Sequence, residues 1–261
     1  MSRVAAVGVD AGSTTTKLVA VAADGAMLGW RIENAYPQVE EQVARLVGDL
    51  CGELGAQAAV LTVATGYGRK LIKTATRSVT EISCHARGVF ACLGRSGTLV
   101  DIGGQDSKVI RIGANGKAVD FSMNDKCAAG TGRFLENTGA RLGIAIEELG
   151  TRALATTEEE AISSTCTVFA ESEIISLIAR GARLDAIVRG LHRSMINRIV
   201  SMIHHVGLVA PLMLSGGVAR NPAFRALLED TTGEPVIVPE HPQLMGAYGA
   251  ALLAGASAAS P

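Results

Sequence analysis

Aromatic residues, long apolar runs and surplus charge are all scarce in this chain of 261 residues. Aromatics are 3% of it against 48% hydrophobic residues, so the core must be built from Ala, Val, Ile and Leu, as is typical of α/β proteins. A formal net charge of −1 gives no basic surface for nucleic acid or an anionic membrane. No apolar run has the length of a bilayer span, and no signal-peptide pattern is present. We therefore expect a cytoplasmic protein without nucleic-acid or membrane partners.

The five cysteines form no CxxC pair, which favours free thiols over a disulfide framework. Two of them stand apart by their surroundings. Cys127 lies in Asn-Asp-Lys-Cys-Ala-Ala-Gly-Thr-Gly and Cys166 in Ser-Ser-Thr-Cys-Thr-Val-Phe, and each precedes a segment with helical apolar spacing. Unpaired N–H groups at a helix start favour a thiolate and the anion that it ligates. Buried inert cysteines are the simpler alternative.

Two hairpins of like design occur about 90 residues apart, which is the most informative internal repeat. Each has an apolar strand, an acidic residue (Asp10, Asp101), a Gly-containing polar turn and a second apolar strand. Such turns offer the N–H and hydroxyl groups that phosphate oxygens need, and a carboxylate at a strand end can hold Mg²⁺ through water. Ordinary polar hairpins remain the alternative for each turn taken alone. The candidate phosphate-binding residues are Gly12, Ser13, Thr14, Thr15, Thr16 and Lys17 in the first turn, and Gly103 and Gly104 in the second.

A third strand-to-glycine-to-helix element spans residues 212–222. Its paired glycines, Gly216 and Gly217, allow a flat ring or a ribose to approach the backbone, and Asn221 is placed to cap the helix that begins at Pro222. Helical spacing is found over residues 39–50, 81–89, 187–206 and 246–255, and strand-like runs over 59–63 and 236–239. The pattern of residues 141–157 predicts one helix and a loop. His192, His204 and His205, within or at the end of the long helix, are predicted to be packing or surface residues.

The ordered motifs Asp-x-Gly-Ser-Thr-Thr-x-Lys, Asp-Ile-Gly-Gly-Gln and Ser-Gly-Gly-Val resemble those of the actin, Hsp70 and sugar-kinase superfamily. This resemblance implies an α/β, two-domain actin-like (ribonuclease H-like) ATPase fold with the nucleotide in the interdomain cleft. The expected subdomain I is residues 1–93 with a C-terminal helix 245–258, and subdomain II is 94–244. By the same resemblance, Asp10 and Asp101 organise Mg²⁺ and water, and Lys17 meets the β-phosphate. Gln105 and Asp106 are the two candidates for positioning the water. Gly216 and Gly217 border the adenosine, with Asn221, Arg133 and Gln243 as further candidates for it.

The two cysteine motifs, with Ala-Thr-Gly-Tyr-Gly-Arg at residues 64–69, resemble more closely the activators (component A) of 2-hydroxyacyl-CoA dehydratases. These belong to the BadF/BadG/BcrA/BcrD ATPase family. The resemblance implies a homodimer that binds ATP and Mg²⁺ and holds one [4Fe-4S] cluster through Cys127 and Cys166 of both chains. It also implies a dehydratase component as transient partner, and ferredoxin or flavodoxin as electron donor.

Three alternatives stay open at this point. An ATPase subunit of a benzoyl-CoA-type reductase belongs to the same group and would pair with a non-identical chain. A small-molecule kinase of the same fold would need an acceptor site and a general base, for which Asp101 is the candidate. A regulator whose dimer is bridged by Zn²⁺ could use the same four thiolates.

Overall fold

The computed structural model of the chain describes residues 3–56, 60–163 and 167–255. The described strands are β1 (Ala6–Ala11), β2 (Thr15–Val21), β3 (Met27–Asn34), β4 (Leu61–Thr65), β5 (Arg77–Ser78), β6 (Gly97–Ile102), β7 (Ser107–Ile112), β8 (Ala118–Asn124), β9 (Leu212–Gly216) and β10 (Val236–Ile237). The described α-helices are α1 (Val39–Glu53), α2 (Glu81–Leu93), α3 (Gly132–Leu142), α4 (Ile146–Leu154), α5 (Thr167–Ala179), α6 (Leu184–Val206), α7 (Pro222–Thr232) and α8 (Met245–Gly255).

The chain divides into two compact units. The first contains the described residues up to Ser96, Ile112–Val119 and those from Pro239 onward, and the second contains Gly97–Arg111 and Asp120–Val238. Among the described helices, none combines the length and apolarity that a membrane span requires.

The first unit is built on a five-stranded sheet of order β3-β2-β1-β4-β5. Strand β1 pairs antiparallel with β2 and parallel with β4, so it is the central strand. Helix α1 covers one region of the sheet with Val43, Leu46 and Leu50, whose spacing of three and four residues places them on one helix face. Thr80 caps α2, because its hydroxyl accepts a hydrogen bond from the Ser83 N–H, and Gly94 ends that helix in the left-handed conformation.

Helix α8 packs against both β1 and α2 in the first unit, and small residues make this approach possible. A Cβ added at Gly8 would overlap the backbone of Ala247 and Ala251, and one added at Gly249 would overlap the Cys84 carbonyl oxygen. The helix predicted over residues 246–255 is thus present, and its small residues allow the close approach.

The second unit has a sheet of order β10-β9-β6-β7-β8. Strand β9 pairs in parallel with β6, in a register that sets Asp101 beside Ser215 and Ile102 beside Gly216. Helix α6 supplies much of the core of this unit, including Leu191, Met195 and Ile199, which are fully or almost fully buried. The third predicted element is confirmed as β9, a short 3₁₀ turn over Gly217–Arg220 and α7.

Several predicted elements differ from those observed. Residues 141–157 contain the end of α3 and a further helix, α4, because Gly143 ends α3 in the left-handed conformation (φ 66°) and the chain restarts at Ile146. The predicted strand at 59–63 is found at Leu61–Thr65, and residues 57–59 lie outside the described ranges. Strands β3 and β8 were not predicted.

Candidate functional site

The first acidic turn joins β1 to β2 in the first unit. Asp10 and Lys17 are direct partners in the antiparallel register, and the Lys17 ammonium lies 3.2 Å from an Asp10 carboxylate oxygen. The turn closes through a hydrogen bond from the Gly12 N–H to the Thr15 carbonyl oxygen. A Cβ at Gly12 would lie 3.1 Å from the Lys17 nitrogen, so a larger residue would crowd the cation.

The predicted phosphate ligands of this turn differ in accessibility. Ser13, Thr14 and Thr15 are half-buried, as is Lys17, so their donors can reach a ligand. Thr16 is buried instead, and its hydroxyl donates a hydrogen bond of 3.0 Å to the Gln42 side-chain oxygen. The Thr16 side chain therefore supports the strand, and its backbone lies between Ala11 of β1 and Glu33 of β3 in the sheet.

The second acidic turn joins β6 to β7 in the second unit, and its carboxylate is held at both oxygens. Ser215 donates its hydroxyl to Asp101 Oδ1 at 2.7 Å, while the Lys108 ammonium lies 3.5 Å from Asp101 Oδ2. Lys108 also donates to Asp106 at 2.7 Å. The turn closes through a 2.9 Å bond from the Gly103 N–H to the Asp106 carbonyl oxygen, and Gln105 is exposed at its tip.

Sequence reasoning missed Lys108 and Ser215 as partners of Asp101, and the pairing of Lys108 with Asp106. A signal for Lys108 was present, because it follows Asp101 by the same seven residues that separate Lys17 from Asp10. Ser215 could not have been found in this way, since its position beside Asp101 depends on the pairing of β9 with β6.

The second turn is bonded directly to the helix that follows Cys127. The N–H groups of Gly132 and Arg133 donate to the carbonyl oxygens of Gly103 and Gly104, at 2.9 and 2.8 Å. These are the first N–H groups of α3, which have no partner within their own helix. Arg133 is thereby attached to the turn through its backbone, while its side chain pairs with Glu136 at 3.0 Å.

Cys127 is half-buried in a loop that hydrogen bonds hold in shape. The Asn124 side-chain amide donates to the carbonyl oxygens of Cys127 (2.8 Å) and Ala129 (3.1 Å). The hydroxyl of Thr131, a buried residue, donates to the Ala128 carbonyl oxygen at 2.7 Å. Cys127 precedes α3 by a short loop, and Cys166 lies outside the described residues, immediately before α5 in the sequence.

The described residues contain no group of three or more His, Cys, Asp or Glu side chains arranged to hold a metal ion. Among the described residues, Cys127 is therefore not accompanied by enough further ligands to form a metal site. Cys84 is a different kind of thiol: it is fully buried, and burial is the main cause that raises its pKa to about 12. Such a thiol stays protonated and is a poor ligand.

The predicted adenosine-binding glycines lie where β9 ends. Gly216 has a φ of 88°, and a Cβ there would overlap the Ile102 carbonyl oxygen, so only glycine suits this position. The prediction that Asn221 caps α7 is confirmed, because its side-chain oxygen accepts from the N–H groups of Ala223 (3.0 Å) and Phe224 (3.3 Å). Gln243 lies in a 3₁₀ turn of the first unit, whereas Gly216, Gly217 and Asn221 belong to the second.

His192 anchors Asn221 from α6. His192 Nδ1 contacts the Val188 carbonyl oxygen at 2.7 Å, so this nitrogen carries the proton and Nε2 accepts from the Asn221 amide at 3.0 Å. Burial lowers the pKa of His192 and keeps its ring neutral. The histidine is a packing residue, as predicted.

Known proteins share both the sequence and the fold of this chain. The (R)-2-hydroxyglutaryl-CoA dehydratase activating ATPase of Acidaminococcus fermentans is 38% identical over 97% of each chain. The 2-hydroxyisocaproyl-CoA dehydratase activator of Clostridioides difficile is 46% identical over 74% of this chain and 72% of its own. A solved structure of the activator of the 2-hydroxyisocaproyl-CoA dehydratase from Clostridium difficile, with bound ADPNP, superposes with a TM-score of 0.87 at 38% identity and covers 97% of this chain and 95% of that one.

These matches and the two mixed sheets define a two-domain ATPase of the actin-like class, as predicted. The model of the BadF/BadG/BcrA/BcrD ATPase family matches residues 7–254. The chain belongs to this family, and the predicted membership is confirmed.

Proposed function

We propose that this chain is an ATP-dependent activator of a 2-hydroxyacyl-CoA dehydratase, which uses ATP hydrolysis to deliver an electron to that enzyme. The observation that carries the proposal is the pair of backbone hydrogen bonds from Gly132 and Arg133 to Gly103 and Gly104. They attach a phosphate-binding turn to the helix behind a loop that presents a thiol. A nucleotide at the turn therefore acts on the cysteine loop through a short, rigid path.

The nucleotide half of the proposal rests on the two acidic turns. Lys17 and the free N–H and hydroxyl groups of the first turn would bind phosphate oxygens, and Asp10 and Asp101 would hold Mg²⁺ through water. The geometry fits this role, since Lys17 is half-buried and lies against Asp10 rather than being enclosed. Gln105 is exposed and would position the attacking water.

The redox half rests on Cys127 and Cys166. A [4Fe-4S] cluster needs four thiolates, and each chain offers two, so two copies would complete the site. The cluster, when bound, would supply one electron at low potential. Asn124 and Thr131 hold the Cys127 loop, and α3 directs its N-terminus toward the turn.

The exposed apolar residues of helix α5 favour an interface with a second copy of the chain near the two cysteines. Ala170, Ile174 and Leu177 are buried, yet Phe169, Ile175 and Ile178 on the same helix are at least half exposed. A helix that is apolar on its solvent side as well is typical of an interface. Because α5 follows Cys166 directly, dimerisation through it would bring the thiols of two chains to one place.

The decisive experiment combines metal analysis with an activation assay on protein prepared without oxygen. We expect iron and sulfide at a ratio of one cluster per two chains, and ATP-dependent activation of a 2-hydroxyacyl-CoA dehydratase supplied with reduced ferredoxin or flavodoxin. Cys127→Ser or Cys166→Ser should abolish iron binding, while Cys92→Ser should retain it. Asp101→Asn should keep iron and lose ATP hydrolysis.

Other outcomes identify the alternatives. Stoichiometric zinc without iron would indicate that a Zn²⁺ ion, and not an iron–sulfur cluster, bridges the dimer. Iron binding that requires a non-identical partner chain would favour the ATPase subunit of a benzoyl-CoA-type reductase. Phosphorylation of a small-molecule acceptor by iron-free protein would favour a kinase.

A further inference from the structure

Lys108 is the largest side chain that the described part of the second unit encloses fully, with 2% of its surface exposed. Its ammonium lies between two carboxylates, at 2.7 Å from Asp106 and 3.5 Å from Asp101. A buried ammonium is costly unless it is paired, and here both neighbours are acidic. The two carboxylates therefore stabilise the buried ammonium of Lys108.

Lys17 and Lys108 occupy equivalent places in the two hairpins but differ in what they can reach. The Lys17 side chain is 16% exposed, and within the described ranges its ion pair is with Asp10. The Lys108 side chain is 2% exposed, and its donors are directed to two carboxylates within its own hairpin. An ammonium enclosed in this way is suited to act on its neighbours rather than on a phosphate.

The group on which it acts is Asp101. Ser215 binds one oxygen of this carboxylate and Lys108 faces the other, so the plane of the carboxylate is set from two strands. Asp106 binds the same ammonium at 2.7 Å and so helps to fix its position. Removing either Lys108 or Ser215 would take away one of the contacts that orient the buried Asp101 carboxylate.

We propose that Lys108 is a positioning residue of the ATPase site: held by Asp106, its ammonium orients the Asp101 carboxylate for Mg²⁺-bound water. This inference rests on the proposed ATPase function and adds a residue to it. Lys108 makes no contact with the nucleotide in this arrangement. Its loss should therefore reduce kcat without weakening nucleotide binding.

The test compares four forms of the full-length chain: unsubstituted, Lys108→Met, Lys108→Met/Asp106→Asn and the surface control Lys117→Met. Lys108→Met leaves the carboxylate charges of Asp101 and Asp106 without the lysine ammonium and is expected to lower the unfolding temperature. The double variant removes one of these charges, so it should regain much of that stability. Lys117 is exposed, and its replacement should change nothing.

In the double variant we expect kcat to fall by at least about tenfold, as for the loss of a group that orients a catalytic carboxylate. The dissociation constant of ADPNP should stay within about threefold, because no phosphate contact is lost. The Mg²⁺ concentration for half-maximal turnover should rise, and Ser215→Ala should change kcat in the same direction.

Two results would overturn the role of Lys108 alone. Recovery of kcat together with stability in the double variant would mean that the lysine only balances charge. A loss of ADPNP affinity of more than about tenfold would mean that it binds phosphate directly. If the unsubstituted chain neither bound ADPNP nor hydrolysed ATP, the proposed function itself would fail, and this inference with it.

Discussion

Gly132 donates its backbone N–H to the carbonyl oxygen of Gly103 at 2.9 Å, so the first residue of α3 is bonded to the turn after β6. The contact is close on the side of the α-carbon as well, because a Cβ added at Gly132 would lie 3.0 Å from that same oxygen. A methyl group here would crowd that oxygen and require it to shift. The φ of Gly132 is not in the left-handed range, so alanine could adopt its backbone conformation.

Gly132→Ala should separate the turn from the Cys127 loop. The added methyl group must push the Gly103 carbonyl away and lengthen the hydrogen bond. We expect ADPNP to protect the amides of residues 124–131 from hydrogen exchange in the unsubstituted chain, and to protect them several-fold less in the variant. Hydrogen-exchange mass spectrometry measures this.

The matched control is Gly48→Ala in α1, where no atom lies within 4 Å of an added Cβ. This substitution should leave the ADPNP response unchanged and stabilise the helix by about 0.5–1 kcal/mol. Equal protection in Gly132→Ala and in the unsubstituted chain would contradict the coupling.

Asn124→Ala should expose Cys127. The substitution removes two hydrogen bonds to the loop, each worth about 1 kcal/mol. In metal-free protein we therefore expect iodoacetamide to alkylate Cys127 roughly tenfold faster, as followed by peptide mass spectrometry. Asn137→Ala, which truncates an exposed Asn of α3, should leave the rate as it was.

Cys84 should resist alkylation in the folded protein. Its pKa is raised to about 12, chiefly by burial, so at pH 8 only about one thiol in ten thousand is ionised. Cys92 is exposed and provides the internal comparison. We expect iodoacetamide at pH 8 to label Cys92 and to label Cys84 only after urea is added. Modification of Cys84 in native protein would refute its assignment as an inert packing thiol.

Acid should weaken the second unit through His192. Burial lowers the pKa of this ring below its ordinary value of 6.5, so below pH 6.5 the unfolded chain binds more protons than the folded one. The free energy of unfolding should therefore decrease as the pH is lowered below 6.5. The decrease is at most about 1.4 kcal/mol per pH unit and ends once the pH is below the folded-state pKa. At pH values well above 6.5 the ring is neutral in both states and contributes no pH dependence.

Scanning calorimetry at pH 5.5 and 7.5 checks this for the unsubstituted chain and for His192→Gln. Glutamine keeps an amide but does not titrate. The variant should be less stable at both pH values and should lose less stability between them. The same acid-induced loss in both proteins would show that other groups cause it.

The sequence allowed correct predictions where a structural feature is formed by residues that are close together in the chain. Both acidic turns, the cap at Asn221 and the tight packing of α8 follow from local patterns, and the motif order led to the family. The hydrogen bond from Ser215 to Asp101 spans 114 positions in the sequence and depends on strand pairing, which no local pattern contains.

Two missed strands show the other limit. Strand β8 alternates exposed apolar residues (Val119, Phe121, Met123) with polar ones, a period of two that was present but overlooked. Strand β3 is half-exposed along most of its length and contains Gly29, so it lacks the continuous apolar run by which β1 was found. The hydrogen bonds from α3 to Gly103 and Gly104 could not be predicted, because they depend on where the helix lies relative to the turn.

The contact of α8 with Gly8 has a consequence for synthesis on the ribosome. The residues that cover β1 at this point, Ala247 and Ala251, are translated more than two hundred codons after it. Because a nascent chain emerges from its N-terminus, the sheet that carries Asp10 waits with one face uncovered until α8 has left the exit tunnel. The first sheet can therefore complete its core only after most of the chain has been translated.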